Sequence, residues 1–271
     1  MSIGIVVAGA TGWAGRAVAR AVVGSPDMRL VGAVARRSAG QDCGLALGLD
    51  AMGLTVAPSV GEALEGGADV LVDYTAPDAV KAHTLEALGR GVAVVVGTSG
   101  LTAADVGEID QAARQAGRGV IAAGNFSLTA ALAKHFALIA SRHIPSWELI
   151  DYADAARVDA PSGTVRELAE ELGRIRAPRV DVPVDQTFGS PQARGAGIAG
   201  TQVHSLRLPG FVISFEAIFG LPDERLTIRH DAGGGAEPYV AGTLLAVRRV
   251  GGVVGLLRGL DRLVFGADAG D

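Results

Sequence analysis

Cysteine and lysine are scarce in this sequence of 271 residues: Cys43 is the only cysteine, and two of the 24 cationic side chains are lysines. A lone cysteine excludes a disulfide framework and a cysteine-based metal cluster. The five histidines are scattered without metal-ligand spacing, so we predict no metal site. Neither Lys81 nor Lys134 follows a tyrosine by four residues. This argues against a carbonyl dehydrogenase that depends on a Tyr-x-x-x-Lys pair.

Positive net charge and long hydrophobic runs are also absent. The formal charge of −5 disfavours nucleic acid and anionic membranes as partners. No apolar stretch has the length of a membrane span, and no basic region precedes the first apolar run, so we expect a cytoplasmic protein without a signal peptide. Hydrophobic residues make up 49% and charged residues 20%, which is typical of a globular chain with one large or two modest domains.

Glycines follow the first apolar run in a regular pattern. Residues 3–8 form a continuous apolar run, typical of a strand buried on both faces of a parallel sheet. Gly9, Gly12 and Gly15 then have the spacing Gly-x-x-Gly-x-x-Gly, and a helical pattern follows. A tight glycine turn between a strand and a helix lets a pyrophosphate approach the backbone. We therefore favour a dinucleotide site over a plain tight turn.

Two arginines follow the predicted second strand, residues 29–35. An NAD-selective site usually has an acidic residue here that binds the ribose 2′-hydroxyl, whereas an arginine accommodates a 2′-phosphate. Arg36 and Arg37 lie at this point and no acid is present. A solvated basic turn is the alternative, but the location predicts NADPH as the preferred cofactor, with NADH as the second choice.

Strand and helix patterns alternate through the first part of the chain. Predicted strands at 69–74, 92–96 and 120–123 end in polar or glycine-rich clusters, and predicted helices at 78–88 and 102–116 separate them. This alternation predicts an α/β fold with a Rossmann-type, doubly wound parallel sheet. Ligands bind beyond the carboxyl ends of such strands, where these clusters lie.

The pattern changes in the second part. A predicted helix at 127–142 leads to a strand at 147–153, and three strands at 202–208, 211–219 and 225–230 indicate an antiparallel meander. We therefore predict an α+β domain with an open mixed sheet. An open sheet favours self-association.

Three segments follow from these patterns: a dinucleotide-binding domain, 1–126; a substrate-binding and oligomerisation domain, 127–236; and a C-terminal helical segment, 237–271, that packs back on the first domain. We expect the last six residues to be frayed. On the helix at 127–142 we predict an apolar face, and we place Lys134 and His135 on the surface. The predicted face consists of Leu128, Leu132, Phe136 and Ile139.

The segment 151–164 runs from the end of a strand through a charged bend to the start of a helix. Pro161 and Gly163 break the strand period, and Thr164 and Glu167 have the spacing of a capping box. A helix N-terminus offers unpaired N–H groups and a partial positive charge to a carboxylate or phosphate. An ordinary capped helix after a turn is the alternative.

Several motifs together resemble one known family. Val-Asp-Ala-Pro-Ser-Gly-Thr at 158–164 follows, in order, the glycine turn, Asp-Tyr-Thr-Ala-Pro at 73–77, Val-Gly-Thr-Ser-Gly at 96–100 and Gly-Asn-Phe-Ser at 124–127, and precedes His-Ser-Leu-Arg at 204–207. With these motifs the chain resembles the dihydrodipicolinate reductase family over nearly its whole length. The resemblance implies a Rossmann domain, an open mixed sheet and a homotetramer. It also implies hydride transfer from NAD(P)H to the C=N bond of a carboxylate-bearing substrate.

The motifs and the resemblance together predict one set of residues that contacts the dinucleotide and another that contacts the substrate. The residues predicted to contact the dinucleotide are Gly9, Thr11, Gly12, Trp13, Ala14, Arg36, Arg37, Tyr74, Thr75, Gly97, Thr98, Asn125 and Phe126. The residues predicted to contact the substrate are Ser99, Arg157, Ser162, Gly163 and Thr164.

The five residues before Val158 depart from the family pattern. Members carry His-His-Arg-His-Lys there, whereas this chain has Ala-Asp-Ala-Ala-Arg at 153–157. By the resemblance, Ala153 replaces an acid/base histidine, Asp154 a substrate-binding histidine and Arg157 a lysine. Alanine cannot transfer a proton, and arginine remains protonated. The alanines also enlarge the predicted pocket, which favours a substrate with one carboxylate or a larger apolar group.

The proton needed at nitrogen must then have another source. Tyr152, Asp154 and water are candidates; alternatively, the substrate arrives as an iminium cation and needs no general acid. The local acids Asp151 and Asp154 favour such a cation. We prefer the iminium route with Asp154 as an electrostatic partner, and we take Asp154, Tyr152 and Arg157 as the candidate catalytic residues.

Three functions are left open. The favoured one is a divergent imine reductase or amine dehydrogenase, because the binding motifs are retained and the acid/base residues are not. The second is the standard 4-hydroxy-tetrahydrodipicolinate reductase activity of lysine biosynthesis with a substituted acid. The third is a catalytically lapsed NADP-binding sensor or scaffold.

Overall fold

The computed structural model describes residues 2–266, which form two compact units: residues 2–128 together with 236–266, and residues 129–235. Of the six-residue tail predicted to be frayed, only Gly266 lies within the described residues. None of the described helices is long and apolar enough to cross a membrane. The strands are β1 (Ile3–Ala8), β2 (Met28–Val34), β3 (Val70–Asp73), β4 (Ala93–Val96), β5 (Gly119–Ala122), β6 (Ser146–Ala153), β7 (Ala196–Ile198), β8 (Thr201–Arg207), β9 (Ile213–Leu221), β10 (Glu224–Ala232) and β11 (Gly255–Arg258). The helices are α1 (Trp13–Val23), α2 (Cys43–Leu47), α3 (Val60–Ala63), α4 (Val80–Gly89), α5 (Ala103–Ala116), α6 (Leu128–His143), α7 (Gly163–Ile175), α8 (Glu237–Val250) and α9 (Leu260–Phe265).

A six-stranded sheet forms the centre of the first unit. All its strands are parallel, in the order β11-β5-β4-β3-β1-β2. Every residue of β3, β4 and β5 is buried, as expected for a parallel sheet. The predicted α/β fold with a Rossmann-type sheet is confirmed. The C-terminal segment, predicted to be helical, also contributes β11, because its apolar run at 255–258 pairs with the free edge of β5.

The strand order reverses between β1 and β3. From β1 the sheet continues to β2 on one side, and from β3 it continues to β4 on the other. The connections that leave two such strands diverge, which opens a crevice at their carboxyl ends. Gly9 follows β1 and Tyr74 follows β3. The glycine turn therefore lies at this crevice.

A five-stranded mixed sheet forms the centre of the second unit, in the order β10-β9-β6-β8-β7. Strand β6 is parallel to β8 and antiparallel to β9. The predicted meander is correct for β9 and β10, which pair antiparallel, and wrong for β8 and β9, because β6 lies between them. The alternating buried residues of β6, among them Trp147 and Leu149, suit a central strand with one face on the core.

The buried face of α6 differs from the predicted one. Leu132, Phe136 and Ile139 are 37–51% exposed, whereas the buried positions are mainly alanines. Lys134, predicted on the surface, is only 8% exposed; its ammonium group donates to Glu167 at 3.0 Å and Glu171 at 2.9 Å, both on α7. The two carboxylates compensate the desolvation of the lysine, which explains its burial.

Candidate active site

The glycine turn after β1 brings three backbone segments closer together than side chains would allow. Gly9 has φ +77°, and a Cβ atom there would collide with the carbonyl oxygen of Tyr74. A Cβ atom on Gly15 would collide with the carbonyl oxygen of Gly9. Gly12 is the N-cap of α1 and has no capping side chain. The turn and the start of α1 thus offer exposed backbone to a pyrophosphate, which fits the predicted dinucleotide.

A cleft of about 630 Å³ opens beside this turn. Arg36 and Arg37 lie on its rim, in a 3-10 turn directly after β2, and both are exposed. Neither arginine has a carboxylate partner within the part of the chain that the structure describes, so both can bind an added anion. Seven predicted cofactor residues line this cleft: Gly9, Thr11, Gly12, Arg36, Arg37, Tyr74 and Thr75.

Ser59 and His83 also line the larger cleft and were not predicted as cofactor residues. His83 is one turn into α4, and its Nδ1 lies 2.8 Å from Asp73 Oδ2 at the end of β3. Asp73 is fully buried and also accepts from the hydroxyls of Thr75 at 2.6 Å and Thr98 at 2.9 Å. Asp73 is the last residue of a buried strand, and a buried carboxylate requires a hydrogen-bond donor or a cation. This requirement was the one signal in the sequence that could have predicted His83 as its partner.

The charges of this pair are fixed by their surroundings. Burial disfavours the charged form of Asp73, but the hydrogen bonds from His83 and Thr75 outweigh burial and hold the pKa of Asp73 below its usual range. The hydrogen bond to Asp73 raises the pKa of His83. The network ties the loops after β3 and β4 together at the cleft.

A second, smaller cleft of about 280 Å³ lies at the carboxyl ends of β4 and β5. A Cβ atom on Gly97 would overlap the ring of Tyr74, so this glycine lies flat against that ring. Tyr239 of α8 completes the lining and was not predicted. The predicted residues that line it are Trp13, Ala14, Tyr74, Thr75, Gly97, Thr98, Ser99, Asn125 and Phe126. Ser99, predicted to contact substrate, thus belongs to this cleft of the first unit.

In the second unit, a buried acid holds the loop that precedes α7. Asp151 of β6 is fully buried, and its Oδ2 accepts from the Ser162 amide at 2.9 Å and from Arg207 Nη2 at 2.7 Å. Arg207 Nη2 also donates to the carbonyl oxygen of Asp159 at 2.6 Å. Because Arg207 neutralises Asp151, this acid does not supply the negative charge expected of it beside a cationic substrate.

The N-cap of α7 lies two residues earlier than predicted. Ser162 is its N-cap and accepts from the Val165 amide at 3.4 Å, so the predicted capping box of Thr164 and Glu167 is wrong. Glu167 instead binds Lys134. Ser162 is 2% exposed, and both its hydroxyl and its amide are engaged. The amides of Gly163 and Thr164 have no partner among the described residues, and they remain available to an anion.

The three candidate catalytic residues have different surroundings. Tyr152 points to the opposite face of β6 from Asp151; its hydroxyl donates to Glu216 at 3.2 Å, and burial and the charge of Glu216 raise its pKa. Arg157 forms a bidentate ion pair with Asp159, with 2.8 Å from Nη2 to Oδ2. Asp154 is exposed, and its Oδ1 accepts from the Ala156 amide at 2.9 Å. The structure therefore separates Tyr152 from the start of α7.

The six-stranded parallel sheet, with a glycine turn at the reversal of its strand order, is the architecture of dinucleotide-binding proteins of the Rossmann type. Models of the N-terminal and C-terminal parts of dihydrodipicolinate reductase match residues 3–126 and 125–262. The chain belongs to the dihydrodipicolinate reductase family, and it is an NAD(P)H-dependent reductase that acts on C=N groups.

Individual relatives agree with this assignment. A 4-hydroxy-tetrahydrodipicolinate reductase of Desulfitobacterium hafniense (strain DSM 10664 / DCB-2) is 37% identical over 264 residues, which cover 97% of this chain and 98% of the relative. One from Parasynechococcus marenigrum (strain WH8102) is 40% identical over 280 residues, with 97% and 99% covered. The solved dipicolinate-bound dihydrodipicolinate reductase from Paenisporosarcina sp. TG-14 superposes with a TM-score of 0.84 at 27% identity, over 97% of this chain and 99% of that one. An amine dehydrogenase from Mycobacterium smegmatis shares the fold, with a TM-score of 0.67 at 17% identity over 97% and 96% of the two chains.

Proposed function

We propose that this protein reduces the C=N bond of a carboxylate-bearing imine or iminium other than the lysine-pathway intermediate, with NADPH as the preferred reductant. The observation that carries the proposal is Ala153. This residue ends β6 on the same face as Asp151, is fully buried, and stands where the family pattern has an acid/base histidine. A methyl group there can neither donate nor accept a proton.

The residues of the first unit fit a dinucleotide. The cradle formed by Gly9 and Gly15 has no room for side chains, and Arg36 and Arg37 are unpaired within the described chain beside the larger cleft. The bound cofactor supplies the hydride. In this arrangement the two arginines bind the 2′-phosphate, which makes NADPH the better ligand.

The residues of the second unit fit a substrate carboxylate. The free amides of Gly163 and Thr164 point along the axis of α7, a helix of 13 residues, and its N-terminus favours an anion. Asp151 and Arg207 hold this loop in place through the Ser162 amide and the Asp159 carbonyl. Ser162 therefore acts in the proposal through its place at the helix start and not through its buried hydroxyl.

An iminium substrate removes the need for a general acid. Its nitrogen already carries the proton, so hydride addition at carbon gives the neutral amine directly. The Asp154 carboxylate is exposed and has no cationic partner among the described residues; its Oδ1 accepts only from the Ala156 amide there. Its carboxylate stabilises the cation before transfer. Tyr152 and Arg157 are weaker candidates because Glu216 and Asp159 engage them.

The standard 4-hydroxy-tetrahydrodipicolinate reductase activity is the second candidate. The identity of 37% to relatives of that name over 97% of the chain favours it, as does the retained segment 158–164. In this case water supplies the proton in place of the histidine.

Steady-state assays distinguish the two candidates. The purified protein is offered 4-hydroxy-tetrahydrodipicolinate and a panel of cyclic imines with one carboxylate, and NADPH oxidation is followed. We expect kcat/KM to be at least about tenfold higher for a panel member, a difference of roughly 1.4 kcal/mol. Robust turnover of the lysine-pathway compound above every panel member would sink the proposal. Binding of NADPH without turnover of any compound would instead support the sensor or scaffold.

A further inference from the structure

Of the two tryptophans in this chain, Trp13 is exposed and Trp147 is buried. Trp13 is the first residue of α1 and 59% exposed. Trp147, by contrast, is 4% exposed, and its indole N–H donates to Thr201. Trp13 therefore contributes little to the hydrophobic core. A large exposed aromatic ring on the rim of a cleft indicates a surface that a ligand covers.

Tyr239 lies against Trp13 at the same cleft. The two ring centroids are 5.5 Å apart at an interplanar angle of 69°, an edge-to-face contact. Both residues line the smaller cleft, together with the half-buried Tyr74 and the buried Phe126. Four aromatic side chains thus surround one small cavity in a chain with only 4% aromatic residues.

Helix α8 holds Tyr239 in position. A Cβ atom on Gly242 would collide with the carbonyl oxygen of Phe126, so the helix backbone lies directly on the loop after β5. Thr243 Oγ1 lies 2.7 Å from Tyr74 Oη and donates to the Tyr239 carbonyl oxygen at 2.7 Å. These contacts fix the backbone of the helix that carries Tyr239, which limits the positions that its ring can take and so the entropic cost of binding.

The smaller cleft is at the other end of the cofactor site from the two arginines. Arg36 and Arg37 follow β2, whereas the smaller cleft lies at the ends of β4 and β5, on the far side of β1 and β3. With the 2′-phosphate at the arginines and the pyrophosphate at the glycine turn, the nicotinamide ring reaches the smaller cleft.

We propose that Trp13 and Tyr239 form an aromatic wall that orients the nicotinamide ring of NADPH for hydride transfer. The inference rests on the cofactor placement in the proposed function. Both residues are positioning residues: since their rings meet edge to face, one stacks on the nicotinamide ring while the other contacts its edge, and together they restrict the orientation on which hydride transfer depends. The wall gives the chain a specificity for the nicotinamide end of the cofactor that the glycine turn and arginines do not provide.

Two ligands distinguish the contribution of the wall to binding from that of the rest of the cofactor site. NADPH carries the nicotinamide ring, and 2′-phospho-ADP-ribose lacks it but keeps the phosphates and adenosine. For Trp13→Leu, calorimetry should show NADPH affinity reduced roughly tenfold and 2′-phospho-ADP-ribose affinity changed by less than about twofold. Trp13→Phe and Tyr239→Phe keep an aromatic ring, and they should retain most of the NADPH affinity. Trp13→Leu should also lower kcat at saturating NADPH.

Four results would overturn the wall. If Trp13→Leu lowered the affinity for both ligands equally, the substitution would have disturbed the glycine turn. Unchanged NADPH affinity in Trp13→Leu would show that the ring makes no contact. If the wild-type protein bound the two ligands with equal affinity, the nicotinamide ring would gain nothing from the wall, while the proposed placement of NADPH would still hold. Wild-type protein that binds neither ligand would overturn the cofactor placement as well.

Discussion

The imidazole of His83 and the buried carboxylate of Asp73 form a hydrogen bond of 2.8 Å, from Nδ1 to Oδ2, at the edge of the larger cleft. The bond to Asp73 raises the pKa of His83. The pKa of Asp73 is lowered, because the bonds from His83 and Thr75 outweigh the effect of burial. The fold therefore favours the charged form of each partner. Thr75 and Thr98, which also donate to Asp73, lie in the loops after β3 and β4 and are predicted cofactor residues.

This pair predicts a stability contribution that depends on pH. The contribution of His83 is fully present below its ordinary pKa of 6.5 and is lost as pH rises through the raised pKa of the folded state. The contribution of Asp73 is present above 3.8 and is lost as pH falls through the lowered pKa of the folded state. We expect His83→Gln to lower the free energy of unfolding by about 1 kcal/mol near pH 6 and by clearly less near pH 9. Urea denaturation at the two pH values measures this, with His143→Gln as an exposed control; an equal loss at both pH values would contradict it.

The close approach at the glycine turn predicts a large difference between two glycine substitutions. Gly9 and Gly40 both have positive φ, +77° and +82°, but a Cβ atom meets the Tyr74 carbonyl only at Gly9 and meets nothing within 4 Å at Gly40. Gly40→Ala should cost about 1 kcal/mol of unfolding free energy from backbone strain alone. Gly9→Ala should cost about 3 kcal/mol or more and abolish NADPH binding. Thermal unfolding and calorimetry test this, and similar losses for the two variants would argue against the close approach.

Local chemistry explains which predictions from the sequence are correct. The glycine turn depends on residues within one short segment, and so does the start of α5, where Thr102 and Asp105 form a capping box. Several incorrect predictions depend instead on partners far away in the chain. Lys134 is buried because of carboxylates 33 and 37 residues later, and one of these, Glu167, is thereby unavailable to cap α7.

The same reason applies to the candidate site. Strand β6 takes its place between β8 and β9 through pairings that no local pattern encodes. Tyr152 and Asp151 are adjacent in sequence, so both looked close to the start of α7, but strand geometry puts them on opposite faces. The partners Glu216 and Arg207, each more than 50 residues away, then determine what the two side chains do.

Arg36 and Arg37 predict the cofactor preference. An exposed arginine that binds a phosphate loses a charge-assisted bond on replacement. The double variant Arg36→Ala/Arg37→Ala should bind NADPH about tenfold to a hundredfold more weakly, with NADH affinity nearly unchanged. Arg29→Ala, an exposed arginine of β2, is the control and should alter neither. Calorimetric titrations with both cofactors give the ratio of the NADPH and NADH affinities. Tighter binding of NADH than of NADPH by the wild-type protein would count against a 2′-phosphate site at the two arginines.

The buried pair of Asp151 and Arg207 predicts a coupled loss of stability and substrate binding. Asp151 is fully buried and the Arg207 side chain is 16% exposed, so Asp151→Asn leaves the guanidinium without its counter-charge. We expect a loss of about 3 kcal/mol in urea denaturation, and weaker binding of dipicolinate as a carboxylate probe because the Ser162 loop is no longer held. Asp27→Asn, which breaks the exposed pair with Arg248, should change little. If Asp151→Asn kept full stability and probe affinity, the loop would not depend on this pair.

Asp154 provides the sharpest test of the iminium route. Asp154→Asn removes the charge and keeps the Oδ1 atom that accepts from the Ala156 amide, so the bend should be preserved. Since the side chain is exposed, its attraction to a cation is modest, and we expect kcat/KM to fall by about fivefold for a permanently cationic iminium. A neutral imine of the same shape should be reduced at an unchanged rate. Asp223→Asn, another exposed acid, controls for net charge. A loss confined to the neutral imine would identify Asp154 as a proton donor instead, because only an uncharged nitrogen requires one. If Asp154→Asn reduced both compounds at the wild-type rate, Asp154 would have no part in the mechanism, and water would be the proton source for the neutral imine.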